Sequence, residues 1–379
     1  MPSQTIFTTA AARLARLPFH LWGQRPFTPP QKALILKPCC ISQVMLTTPL
    51  LAALHKAYPQ TRFDWAVSDW ARPAIAGNPR LTEIISTGAG GLDTASWAEI
   101  RALIKRLRQE TYDTCFIPSR SSLLSFIAWQ AGIPQRIGLH VNGRGFAHTI
   151  AVKPPAGEQH EAAIYLSLAR AAGIDEETIA SVGMEYHAPD LERTAVTRRL
   201  VDELDWLGDV PLIIIHPGGG NNPVDSEKDK QWPVERFVRL GNHLAKKYQA
   251  QLLIVGDERE RPLAETISGL MYAPVANWAG RITLGELGAL GEVADLYIGN
   301  DAGPTHIAAA VGCPTIAIYG PSNPAISSPY AIKSPVATLW HQFDNNFIWA
   351  DGTTVQEVIT VAENLLIQHR GINSAKTQT

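Results

Sequence analysis

The chain keeps switching between two apolar periods. Strand-length apolar runs, ALIL (33–36), RFDWAV (62–67), TEIIS (82–86) and DTCFI (113–117), alternate with stretches of helical spacing over 45–58, 69–76, 95–109 and 120–131. Parallel strands need a long crossover between them, usually a helix, so this alternation predicts an α/β fold with parallel sheets. HEAAIYLSLARAAGI (160–174) reads as an amphipathic helix closing the first series, after which EYHAPDLERTAV loses its apolar period. The scheme then restarts with PLIIIHPGGG (211–220) and a helix in ERFVRLGNHLAKKY. The strands AQLLIVGD (250–257), DLYIGND (295–301) and PTIAIYG (314–320) follow, with helices in LGELGALGEVA, PTHIAAAVG and residues 354–369. A chain of 379 residues is long for one core and suits two. The expected division is an N-terminal extension (1–30), a first domain (31–188) and a second (189–379). No period of 20–50 residues is present, which excludes a solenoid. Two such domains in tandem predict a cleft faced by the C-terminal ends of both sheets.

Composition narrows the class. The chain is 45% apolar and 18% charged, without an apolar run of about 18 residues, so a membrane-spanning helix is not expected. Its net charge of −2 conceals an asymmetry: no acid precedes Asp64, whereas Arg13, Arg16, Arg25, Lys32, Lys37, Lys56 and Arg62 do. A basic start favours an anionic partner. Residues 1–30 fit a disordered tail, a transit-type leader or a short amphipathic segment on an anionic membrane surface. Cys39, Cys40, Cys115 and Cys313 show no zinc-ligand spacing. Adjacent cysteines rarely bridge, so Cys39 and Cys40 are expected to remain separate, and the chain reads as reduced and cytoplasmic.

The densest chemistry lies in YIGNDAGPTHIAAAVGCPTIAIYGPSNP (297–324). Pro304 suits the first position of a helix, and Gly303 lets backbone approach a ligand. A helix starting there aims free N–H groups at whatever follows the strand, an arrangement that binds phosphate or diphosphate. Asp301 fits a role in fixing that loop or meeting a sugar hydroxyl. Neither half opens on G-x-G-x-x-G between strand and helix, which disfavours a dinucleotide-dependent oxidoreductase.

GNDAGPTHIAAAVGCPTIAIYG resembles the signature of glycosyltransferase family 9, the ADP-heptose:lipopolysaccharide heptosyltransferases. HPGGG (216–220) with KQWPVERF (230–237), IVGDERE (254–260), TTPLLAALHKAYPQTRFDWAV (47–67) and GIPQRIG (132–138) are similar to further family stretches in the same order. The resemblance, over about residues 32–330, implies the GT-B architecture of two Rossmann-like domains. It implies a donor site of His216, Gly218, Lys230, Glu258, Asp301, Ala302, Gly303 and His306, with Lys230 stabilising the leaving diphosphate. On the acceptor side it implies Lys37, Ser42 and Arg120. It further implies an ADP-sugar donor, an anionic glycan or lipid-linked acceptor, work at the inner face of the membrane, and neither nucleic acid nor cofactor. No DxD metal motif is present.

Two positions depart from the family pattern. Gln43 stands where relatives carry the catalytic Asp, and Ala302 where they carry Ser or Thr. The pair Cys39-Cys40 replaces two serines. An amide can hold a hydroxyl but cannot take its proton, and a general base is typically worth about 10²–10⁴ in rate. The chain is therefore expected to be a transferase with a rearranged acceptor side, using Asp64 or Asp69 or no strong base. The alternative is a weak or silent relative that binds a nucleotide sugar or glycan.

Overall fold

A computed structural model describes residues 26–220, 228–343 and 346–370. The expectation for the N-terminal extension falls almost wholly outside them. The chain divides between Val182 and Gly183 into two units.

The first unit runs β1 (Lys32–Leu36), α1 (Ile41–Met45), α2 (Thr48–Ala57), β2 (Arg62–Val67), β3 (Leu81–Ser86) and α3 (Trp97–Gln109). It continues β4 (Thr114–Ile117), α4 (Ser122–Gln130), β5 (Gln135–Leu139), β6 (Ile150–Val152), α5 (Glu161–Ala171) and α6 (Glu176–Ala180). The second unit runs α7 (Asp190–Leu204), β7 (Leu212–His216), α8 (Val234–Tyr248), β8 (Gln251–Ile254), α9 (Arg261–Leu270), β9 (Val275–Asn277) and α10 (Leu284–Val293). Then come β10 (Leu296–Asn300), α11 (Gly303–Val311), β11 (Thr315–Ile318), α12 (Pro324–Ser327), β12 (Val336–Leu339) and α13 (Val355–Arg370).

Each unit holds one six-stranded sheet, ordered β3-β2-β1-β4-β5-β6 and β12-β11-β10-β7-β8-β9. Every pairing is parallel. Strands covered on both faces need no polar alternation, which is why Ala33–Leu36 and Leu212–Ile215 are continuous apolar runs with no exposed side chain. The helices are set by local chemistry. Ser96 and Glu99 close a capping box at the start of α3, and Thr283 and Glu286 do so at α10. Gly312, at φ +105°, ends α11 in the left-handed region open to glycine.

The expected helix over 45–58 is two helices. Pro49 has no N–H for the Met45 carbonyl and its ring would press on it; the Thr48 hydroxyl bonds that carbonyl instead, at 2.7 Å. A first short helix, α1, begins at Ile41, ahead of the helical spacing expected from residue 45, so Ser42 and Gln43 sit on a helix. Residues 69–76 contain only a 3₁₀ turn, Arg72–Ala74. The stretch without apolar period enters α7, a surface helix that buries only Val196 and Leu200 and so carries little apolar pattern to read. Cys39 and Cys40 correct another expectation. Their peptide is cis, their Cα atoms lie 3.1 Å apart and their sulfurs are bonded, whereas Cys115 and Cys313 are free and buried. Among the described residues, no helix is long and apolar enough to cross a membrane.

Candidate functional site

In both sheets the first strand of the unit is central, and the strand order reverses beside it. Ligands of open parallel sheets gather at the C-terminal ends of the strands flanking such a reversal. In the second unit these strands are β7 and β10. His216 ends β7, followed by Pro217, Gly218, Gly219 and Gly220. Asn300 ends β10, followed by Asp301, Ala302 and α11. Asn300, fully buried, joins the two: its Nδ2 donates to the carbonyls of Pro217 at 2.8 Å and Gly218 at 2.9 Å. Its Oδ1 accepts the Trp232 backbone N–H at 3.2 Å.

Trp232 is anchored in turn. Its indole is buried edge-on against Phe237, with ring centroids 4.9 Å apart, and its Nε1 donates to Thr353 at 2.8 Å. Two residues earlier, Lys230 Nζ lies 2.8 Å from Asp301 Oδ2. Asp301 is buried, and its negative charge holds the pKa of the neighbouring buried Tyr319 well above the ordinary value, behind burial itself as the larger cause. Pro304 occupies the first turn of α11, while Ala302 at its N-cap supplies no side-chain hydrogen bond. The first N–H groups of this helix thus receive no cap from that residue, and the lysine ammonium stands at the same end. That is an arrangement for phosphate groups.

The glycines are there for space. A Cβ on Gly218 would lie 1.6 Å from Glu260 Oε1, and Gly220, at φ +85°, passes over Ala302. Glu260 is buried, 3.1 Å from His216 Nε2 and accepting the Asp257 N–H at 3.0 Å. Burial pushes its carboxyl up, but His216 and the N–H groups of Asp257 and Gly220 outweigh burial and hold it below the ordinary value.

In the first unit the reversal lies between β1 and β4. Lys37 follows β1 and is buried. Its Nζ donates to the Pro118 carbonyl beyond β4 at 3.0 Å, to Tyr165 Oη at 2.9 Å and to Gln43 Oε1 at 3.3 Å. It also lies 4.3 Å from the centroid of the Tyr165 ring. The Tyr165 hydroxyl donates to Gln43 Oε1 as well. Arg120 Nη1 lies 2.9 Å from Glu161 Oε1 on the helix that carries Tyr165. Burial pulls the Lys37 pKa down to about 7; Glu161 partly offsets this and Arg120 adds to it.

The structure therefore groups Lys37, Gln43 and Arg120 in one unit, and His216, Gly218, Lys230, Asp301, Ala302 and Gly303 in the other. Ser42 is half-buried on α1, and His306 is buried along α11. Glu258 stands apart from its group: it is exposed and paired with Arg261 at 2.5 Å. The carboxylate at the glycine turn is Glu260, the last residue of the IVGDERE stretch, four positions after Gly256. Nothing local marks Tyr165 or Glu161; Asn300 stands inside the GNDAGP stretch, but its part in joining the two strand ends shows only in the fold. Asp64 points away from the Lys37 end of its sheet, toward the Tyr112 hydroxyl at 2.8 Å and Lys32, the first residue of β1, at 3.7 Å. Asp69 is exposed just beyond β2. Among the described residues, Asp64, Glu83 and Glu110 bring carboxylate oxygens within 4.8 Å of one another. Cations already serve that group: Lys32 lies 2.9 Å from Glu110, and Arg106 2.7 Å from Glu83 and 3.0 Å from Glu110.

The family model described as glycosyltransferase family 9 (heptosyltransferase) matches residues 100–345, more than half of the chain. The chain is 25% identical over 316 residues to lipopolysaccharide heptosyltransferase 2 of Escherichia coli K12, covering 81% of this chain and 88% of that one. Among solved structures, a family 9 glycosyltransferase from Veillonella parvula superposes with a TM-score of 0.76 at 21% identity, covering 89% of this chain and 97% of that one. The structure of E. coli ADP-heptose lipopolysaccharide heptosyltransferase II superposes with a TM-score of 0.73 at 22% identity, covering 89% and 99%. These two likenesses place the fold among the GT-B glycosyltransferases.

Proposed function

The chain belongs to glycosyltransferase family 9, the heptosyltransferase family, and from that premise we propose that it transfers a sugar from an ADP-sugar to a lipopolysaccharide-type acceptor with inversion. Heptose is the sugar that the relatives' names supply. One observation carries the reading: Lys230, 2.8 Å from Asp301, stands at the start of a helix whose N-cap residue has no side-chain cap.

In the proposed reaction an acceptor hydroxyl attacks the anomeric carbon from the face opposite the diphosphate. A new C–O bond forms, the bond to the β-phosphate oxygen breaks, and ADP carries away the electron pair. Negative charge grows on the leaving oxygen, where Lys230 and the first N–H groups of α11 stabilise it. The carboxylate of Asp301 would repel a phosphate, so its role is to hold Lys230 in place. With this cationic end present, the mechanism invokes no metal. The hydroxyl proton is released to solvent water, and this is the slow point, since the Gln43 amide already accepts from Tyr165 and Lys37 and cannot take a proton. That observation favours one second reading, a relative that binds the donor and turns it over slowly. Enzyme of this kind would work in the cytoplasm at the inner face of the membrane, where a lipid-linked acceptor is presented.

The test supplies ADP-heptose and a lipopolysaccharide-core acceptor, following ADP release alongside calorimetry of the donor. Transfer supports the main reading. Donor binding with negligible release supports the second, and absence of binding to any ADP-sugar overturns both.

A further inference from the structure

We infer that the outer face formed by α3 and α4 docks the first unit on an anionic phospholipid surface. On α3, Trp97, Arg101, Ile104, Lys105 and Arg108 follow one another at helical spacing on one stripe. Trp97 is 63% exposed, a large apolar ring placed in water. It meets Phe126 of α4 edge-on at 6.5 Å between centroids, and Phe126 meets Trp129 at 6.1 Å. Trp129 is itself 39% exposed, so the three rings continue the stripe across both helices.

The charges of α3 are sorted. Glu99 folds back onto the backbone N–H of Ser96, at 2.7 Å, and Arg106 turns away to Glu83 and Glu110. Arg101 and Lys105 are exposed, and their side chains make no ion pair or hydrogen bond among the described residues. Arg108 donates to the Gln130 carbonyl at the end of α4, which ties the two helices together. Helix α4, SLLSFIAWQ, contains no charged residue. The face thus combines indole rings with cations and has no acid of its own along the stripe. Indoles settle at the level of lipid headgroups, and lysine and arginine are drawn to anionic headgroups. A soluble anionic partner would satisfy the cations but would leave the exposed rings in water. This docking is independent of which sugar is transferred, and it fits a lipid-linked acceptor.

The full chain is sedimented with vesicles containing phosphatidylglycerol and, separately, with pure phosphatidylcholine vesicles. Expected are capture by the first, little by the second, and a decline with added salt. Arg101→Glu with Lys105→Glu should lower the partition coefficient at least about 10-fold. Trp97→Ala with Trp129→Ala should lower it similarly, with ADP-sugar binding unchanged in both variants as evidence that the fold survives. In a second measurement, bromine-labelled phosphatidylglycerol should quench tryptophan fluorescence in the wild type, and Trp97→Phe should lose part of that quenching. No capture of the wild type overturns the proposal. So does equal capture of the variants, which would move the contact elsewhere in the chain. Self-association abolished by the tryptophan variants, without vesicle binding, would assign the face to a second copy and overturn it as well.

Discussion

The two sheet reversals are built alike and furnished differently. Beside β7 and β10, glycines clear the backbone, a helix begins without a side-chain cap, and Lys230 stands half-buried against Asp301. Beside β1 and β4, the lysine is inside. Lys37 is buried and its donors are spent on a carbonyl, a phenol and an amide. The same topology yields one end that presents positive charge and another that consumes it internally. Topology therefore marks the same place in each unit, and the side chains after each strand give the two places different chemistry.

The largest effect should come from restoring a carboxylate on the lysine side. Gln43→Asp should raise turnover about 10²–10⁴-fold by giving the acceptor proton a place to go. Unchanged ADP release would mean that the proton leaves by another group. Next comes the opposite end: Lys230→Ala should lower kcat by about 10²–10³ while leaving the first unit intact. A rate within twofold of wild type would remove the charge that distinguishes the two ends. Gly218→Ala drives a methyl into Glu260 and should cost about 1–3 kcal/mol in denaturant melts. Ala302→Ser adds one hydroxyl at the helix start and should tighten ADP by about 0.5–1.5 kcal/mol, read by calorimetry.

The buried lysine also makes a pH prediction. Its pKa is about 7 in the fold and 10.5 as the ordinary value. Between those values the unfolded chain holds the extra proton, so this residue's contribution to stability rises with pH across that window. Below about pH 7 both states are protonated and the burden of burying the charge is complete. Lys37→Met should flatten that rise; parallel curves for wild type and variant would show that the ammonium is not the cause.

Much of this was legible beforehand. Apolar runs 33–36 and 211–215 named buried parallel strands, because only strands covered on both faces can omit polar residues. Pro304 and Gly303 marked the start of α11, because proline's fixed φ and missing N–H suit that single place. Short edge strands such as Val275–Asn277 were not legible, since three residues hold no period. Nor was the polar surface helix α7, whose apolar stripe is too thin.

Residue type and spacing near one another along the chain were enough for the α/β class, the doubling of the scheme and the start of α11 at Gly303, since each depends on interactions within a few residues. Three-dimensional packing was needed to join Asn300 to Pro217 and Gly218, to set Glu260 against His216 across 44 positions, and to bring Tyr165 onto Lys37 across 128 positions. Those contacts join segments distant in the chain, and no local pattern encodes which partner a buried polar atom will find. Such partners matter, because leaving a buried polar atom unpaired away from water costs about 1–3 kcal/mol.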